Sequence, residues 1–287
     1  MTTLSTVFQS AYGGVGNFSD ELVTTMPSST KTNTYGWMTR IMKMREWIGP
    51  RRLQNLETEA YVLQNQTFEN TIAVDVNDIE DDNLGIYNPM MSELGRTSGK
   101  LWDQLFKKVL QENTLKGFDE KPLFAADHNL GGEAGVESNV TTSAALSPAT
   151  YAVARAKMQS LKGNDGEPLD VDPTVLLVPP QLEITAKEIL NSTITAVDGV
   201  AAPNHLAGTA KIVVARELSN EPDTWYLFDT SKSVKALIRQ VRQSPTLTQK
   251  TALTDDCVFE DDQFRMGVKA RGAVGVGLWF LAHKCSA

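Results

Sequence analysis

The 287 residues carry 27 Lys and Arg against 35 Asp and Glu, a formal net charge of −8, with 41% hydrophobic and 22% charged residues. That suits one large or two modest globular domains with a genuine core, and the acidic balance argues against a protein that grips nucleic acid by its phosphates. No apolar run approaches the roughly 20 residues needed to cross a bilayer, and Met1–Tyr12 lacks the basic-then-apolar order of a secretory signal. Cys257 and Cys285 form no metal spacing and imply free thiols in a reducing compartment, so the Asn-x-Thr triplets at Asn65, Asn139 and Asn191 are chance matches.

Along the chain the charges are segregated. Residues 1–52 hold six Lys/Arg and three Asp/Glu; residues 53–88 hold eight acids and no base; residues 230–253 hold five bases and no acid; Asp255–Asp262 adds five acids. Such blocks either repel into solvent or meet an opposite block on another segment or subunit. Residues 1–52 read as an extended arm. Gly13, Gly14 and Gly16 interrupt any helix at the start, yet Tyr35, Trp37 and Trp47 require burial, either on another molecule or on the chain's own body.

Residues 56–76 predict a β-hairpin. Phe68, Ile72, Val74 and Val76 alternate with Glu69, Thr71, Ala73 and Asp75 at the period of a half-buried strand. Leu56–Leu63 is the expected partner and Gln64–Thr67 the turn. A two-stranded hairpin is marginal in water and must pack on something. Residues 89–113 predict a long helix, with Pro89 in its first turn and Leu94, Leu101, Trp102, Leu105, Phe106, Val109 and Leu110 along one face. Gly95 and Gly99 weaken it and suit a close crossing. Beyond a Gly-rich loop, Ser147-Pro148 starts a helix running to about Leu161. A buried strand follows at Thr174–Val178, a helix at Pro180–Leu190, and strands at Lys211–Ala215 and Thr224–Phe228, as in an α+β domain. The last part reads as three strands, Ala236–Gln243, Gln263–Arg271 and Val274–Ala282, the last Gly-rich as if closely covered.

Catalytic patterns are weak. Gly95–Lys100 resembles a phosphate loop but has three residues between its glycines instead of four, no following Ser or Thr, and a place inside a helix. Glu80, Asp81 and Asp82 do not complete a calcium loop. Asp127-His128 has no nucleophile or metal pattern beside it, and suits a loop-ordering pair bonded to backbone. Cys285 reads as a small apolar residue. No catalytic residue, metal ligand or cofactor is assigned.

Several segments together resemble the major head protein of Mu-like phages and prophages. They are Asn33–Trp37, Arg45–Arg52, Tyr61–Glu69, Ile79–Asp82, Phe124–His128 and Phe264–Gly272, in shared order across roughly 33–130 and 234–283. The resemblance implies the HK97-like capsid fold, α+β in class: an N-terminal arm (1–52), an extended hairpin loop (53–83), a peripheral domain with its spine helix (84–135 and 231–287) and an axial domain (136–230). It further implies assembly of identical subunits into pentamers and hexamers of an icosahedral shell that encloses DNA without reading its sequence. A portal and a decoration protein are expected partners; since no long helical N-terminal extension precedes the arm, either a separate scaffold protein is a further partner or the chain is a processed form; no membrane is involved.

The expected mechanism is overlap between subunits. Acids of the hairpin (Glu57, Glu59, Glu69) meet a basic strip on a neighbour, either Arg51 and Arg52 or Lys232, Lys235, Arg239 and Arg242, while Trp37, Trp47 and Phe68 supply apolar burial. The competing expectations are an encapsulin-like cargo compartment with the same fold and a metal-dependent hydrolase using Asp127, His128 and Glu80–Asp82.

Overall fold

The computed structural model describes residues 2–38, 58–81, 84–130, 135–164, 166–197 and 200–287. In chain order the elements are α1 (Thr2–Gly13), β1 (Val23–Pro27), β2 (Thr32–Met38), β3 (Thr58–Gln64), β4 (Gln66–Asp75), α2 (Val76–Glu80), α3 (Leu84–Gly99) and α4 (Leu101–Glu112). Short strands β5 (His128–Asn129), β6 (Val136–Glu137) and β7 (Val140–Thr141) lead into α5 (Pro148–Gln159) and β8 (Val175–Val178). Then come α6 (Glu183–Leu190), β9 (Ile194–Val197), β10 (Val200–Pro203), β11 (Lys211–Val214), β12 (Thr224–Phe228), β13 (Leu237–Lys250), α7 (Asp256–Asp261), β14 (Gln263–Val276) and β15 (Ala282–Ser286).

Two sheets organise the body. One runs β1-β13-β14-β4, the other β11-β8-β12-β15-β7. The second is filled from both faces: β8 and β12 are buried at every position, the all-apolar reading of a strand covered twice. Its core continues through Tyr151, Trp225 and Trp279 to Phe106 and Leu110 of α4. The α5 start follows the sequence expectation. The Ser147 hydroxyl accepts from the Thr150 N–H, Thr150 reciprocates on the Ser147 N–H, and Pro148 occupies the first turn.

Four expectations are corrected. The N-terminal segment is not an extended arm throughout, because the glycines at 13, 14 and 16 end a helix instead of preventing one. Leu4 and Phe8, one turn apart on α1, bury fully against Met91 and Leu94 of α3 and Met266 and Val268 of β14; each contributes about 2 kcal/mol by area. β1 then joins the sheet edge in parallel with β13, Val23 opposite Leu237. Second, the hairpin is built from β2 and β3, Thr32 opposite Gln64 and Met38 opposite Thr58. β4 instead pairs with β14, Gln66 opposite Gly272 and Asp75 opposite Gln263. A single residue, Asn65, separates β3 from β4, too short a link for them to turn back on each other.

Third, the spine is two helices. α3 begins at Leu84, so Pro89 lies inside it, and Lys100 (φ −84°, ψ 0°) separates α3 from α4. The close crossing is present: a Cβ on Gly95 would sit 2.6 Å from the Phe8 carbonyl oxygen, and one on Gly99 2.8 Å from a Val15 methyl. Fourth, Gln263–Val276 is one strand, and the chain then crosses into the other sheet, where β15 lies between β12 and β7. Residues 282–286 thus share a sheet with 175–178 and 224–228.

Candidate assembly surface at the hairpin root

The β2–β3 hairpin is fastened to the body by a buried polar knot. The Asn65 side-chain amide donates to the Ser28 hydroxyl and the Thr30 carbonyl, both at 2.8 Å. Its oxygen accepts from Gln240 Nε2 at 2.7 Å, and Gln240 Oε1 accepts from the Tyr35 hydroxyl at 2.7 Å. Gln240 is fully buried and Asn65 is 8% exposed, so the bond between their amides is shielded from water, the others are partly shielded, and leaving Gln240 without its partner would be costly. Beside the knot, the Tyr61 hydroxyl accepts from the Val276 N–H at 3.1 Å. Burial raises the pKa of both Tyr35 and Tyr61, which keeps the phenols neutral.

Glycines let the hairpin approach. A Cβ on Gly275 would lie 2.7 Å from Leu63, and one on Gly272 2.4 Å from the Gln240 carbonyl oxygen and 2.6 Å from the Trp102 ring. This is the close covering that the Gly-rich strand predicted. The preceding segment is pinned separately. Asp103 of α4, fully buried, accepts from the Phe18 and Ser19 N–H groups and the Ser19 hydroxyl, and pairs with Lys100 at 2.9 Å.

The predicted interface residues scatter. Arg239 pairs with Asp20 at 2.6 Å, bonds Thr25 and lies over the Trp102 ring. Lys235 donates to the Glu21 carbonyl at 2.7 Å, and burial lowers its pKa. Lys232 pairs with Asp170 at 3.1 Å. These three cations are thus engaged within the chain, and Arg239 and Lys235 tie the segment around β1 to β13. A free basic strip at 232–242 is not what the fold presents. Arg242 is half-buried and makes no ion pair among the described residues. Trp37 and Glu59 sit opposite each other in the β2–β3 ladder. Phe68 and Glu69 belong to β4, outside the hairpin, with Glu69 across from Lys269. Trp47, Arg51, Arg52 and Glu57 lie outside the described residues.

Of the hydrolase candidates, Asp82 lies outside the described residues, and Asp127 and His128 part company. His128 is fully buried, its Nδ1 2.6 Å from Asp119 and its Nε2 3.3 Å from the Leu123 carbonyl, with its ring stacked on Trp279 at 4.0 Å. Asp127 points to solvent and pairs with Lys121. His128 orders the 119–129 loop, as the sequence suggested, although its acidic partner is Asp119. Among the described residues no group of three His, Cys, Asp or Glu side chains converges. Cys285 is buried, which pushes its thiol up to about 12, an inert value. Sequence reasoning missed Asn65, Gln240 and Asp103; polar residues at apolar-period positions were the available signal.

Comparison with known proteins agrees with this architecture. The family model for the Mu-like prophage major head subunit gpT matches residues 1–149, 140–218 and 214–287. The chain is 30% identical over 283 residues to the major capsid protein of Escherichia phage Mu, covering 98% of this chain and 70% of that protein. It is 29% identical over 264 residues to the Mu-like prophage FluMu major head subunit of Haemophilus influenzae, covering 92% and 64%. The procapsid of bacteriophage JBD30 superposes with a TM-score of 0.60 at 28% identity, covering the whole of this chain and 73% of that one. A spine helix under a long-stranded sheet, a second sheet beside it and a rooted hairpin define a capsid subunit of the HK97-like class. Within that class the chain belongs to the family of Mu-like prophage major head subunits, the major capsid proteins of Mu-like phages.

Proposed function

We propose that identical copies of this chain close into pentamers and hexamers of an icosahedral head shell, assembled in the host cytoplasm with a separate scaffold protein, joined to a portal, and open to a decoration protein outside. The shell encloses DNA without base-specific contacts, and its work is mechanical, with no catalytic step. In this reading the β1-β13-β14-β4 sheet with α3 and α4 is the peripheral domain, and 136–230 together with 282–286 is the axial domain.

The observation that carries the reading is the hairpin, which is locked at its root by the Asn65–Gln240–Tyr35 knot yet leaves Val62 on β3 56% exposed. A rigidly rooted projection with apolar surface turned outward is suited to overlapping a neighbour. Closed symmetry makes each weak interface reinforce the others. Sedimentation velocity and negative-stain imaging of the purified chain, alone and with co-expressed scaffold candidates, test it. Capsomers, tubes or shells are expected; a chain that stays monomeric at every concentration and with every scaffold candidate overturns the proposal.

A further inference from the structure

Two arginines on the long sheet are half-buried and unmatched. Among the described residues four arginines are half-buried, and two of them are paired: Arg155 with Asp172 and Arg239 with Asp20, each at 2.6 Å. The side chains of Arg242 and Arg271 make no hydrogen bond or ion pair among the described residues, and the Nε of Arg271 is enclosed without a partner. A guanidinium drawn partly out of water with no carboxylate beside it is unfavourable for the subunit alone. The sequence accounts for the mismatch, since β13 and β14 together carry six cations and no acid. The acid next along β4, Glu69, faces Lys269 and accepts from the Thr71 hydroxyl at 2.9 Å.

A bulge sets the two arginines side by side. Val241 faces Gly272 and Gln243 faces Arg271, so Arg242 is an extra residue that stands with Gln243 opposite Arg271. Arg271 lies two positions from Ala273, the partner of Gln240, and so shares the sheet face of the amide knot at the hairpin root. β1 stops here: Pro27 opposite Val241 is its last pair, and beyond it this edge of β13 is uncovered among the described residues. Two arginines on facing strands, with about 5–6 Å between their Cβ atoms, present forked donors suited to a pair of carboxylates.

The chain carries such a pair elsewhere. Asp256 and Glu260 stand one turn apart on α7, both exposed and neither in an ion pair among the described residues. At that spacing their Cβ atoms are also about 5–6 Å apart. α7 leads directly into β14, whose Gln263 and Arg271 are separated by roughly 27 Å of extended strand. The acids of one copy therefore cannot reach its own arginines. We infer that Arg242 and Arg271 of one copy receive the Asp256 and Glu260 carboxylates of a second copy. A half-buried pair admits side-chain carboxylates, whereas a nucleic-acid backbone is gripped by exposed cations. The contact joins unlike surfaces and repeats into a ring where the rotation closes. It deepens the shell reading above and rests on it.

The test compares sedimentation velocity and particle yield for the wild type, Arg242→Glu with Arg271→Glu, Asp256→Arg with Glu260→Arg, and the four changes combined, with circular dichroism as a control. Each reversal alone should cut assembly by at least about tenfold, and the combination should restore it. Arg242→Gln with Arg271→Gln serves if the reversal unfolds the sheet. It should cut assembly equally while the melting temperature of the unassembled chain holds or rises, because an unmatched charge has been removed. A melting temperature that falls far enough to explain the lost assembly gives the arginines a structural role and overturns the inference. As a measurement independent of charge, Gln243→Cys with Glu260→Cys should give a disulfide between copies in assembled material. Assembly indifferent to both reversals, or not restored by combining them, overturns the inference and leaves the shell reading standing. So do arginine changes that spare assembly and abolish only DNA retention, which would make the pair a nucleic-acid contact. A wild type that never associates overturns the shell reading itself, and the inference with it.

Discussion

Asn65 and Gln240 show how much a shell subunit can rest on two amides. Asn65→Ala removes three side-chain hydrogen bonds and leaves Gln240 Nε2 buried without its acceptor. Urea unfolding should report a loss of about 2 kcal/mol. Asp103→Ala is expected to lose more, about 3–4 kcal/mol, because the Phe18 and Ser19 N–H groups and the Ser19 hydroxyl lose their acceptor together and Lys100 loses its buried partner, keeping only Gly16 and Glu217; the same unfolding measurement ranks the two. His283 adds a pH dependence. Burial, reinforced by the positive charge of Lys157, lowers its pKa to about 3, and its Nε2 lies 2.9 Å from the Thr141 hydroxyl. The folded chain thus takes up this proton less readily than the unfolded one. The stability it contributes is complete above about pH 6.5 and drains as pH falls towards 3, at up to about 1.4 kcal/mol per pH unit. Replacing His283 with Gln should flatten the difference in unfolding free energy between pH 6.5 and 4; an unchanged slope rejects the assignment.

At the scale of elements, what could be read in advance was what local chemistry decides. Ser147-Pro148 announces α5 because capping is settled within four residues, and Thr224–Phe228 announces β12 because the four-residue apolar run Trp225–Phe228 between turn signals has few other uses. Pairing was not legible. β3 and β4 look like a hairpin because they are adjacent, but β4's partner lies nearly 200 residues further on and β3's lies before it, across a stretch that composition alone marks only as aromatic and basic. The site shared this fate: the basic residues near 235–239 were visible, but nothing local reveals that Asp20 and the Glu21 carbonyl return to meet them. Gly95 was legible as a weak helix position and became intelligible only with α1 lying on it. Gly95→Ala should push α1 from α3, costing about 1–3 kcal/mol as overpacking. Faster limited proteolysis within the first 20 residues would report the displacement, and an unchanged cleavage pattern would reject the tight crossing.

Across the whole molecule, the charge blocks are its most visible sequence feature, and the bases at 232, 235 and 239 find partners within the chain in Asp170, the Glu21 carbonyl and Asp20. Association of copies through charged blocks should weaken as salt rises, since the Debye length falls from about 10 Å at 0.1 M to about 3 Å at 1 M. Association that strengthens steadily with salt would point to apolar contacts instead.

The parallel pairing of β1 with β13 places Val23 beside Leu237, so this edge strand and the helix before it reach their seats only after some two hundred intervening residues exist. Until then the apolar face of α1, Leu4 and Phe8, has only Met91 and Leu94 of its final neighbours to lie on. Closing so long a loop is entropically slow to be rewarded, and at high local concentration an identical segment from an adjacent molecule competes for the same seat. Crowding during synthesis is therefore expected to favour exchanged N-termini over subunits that mature singly.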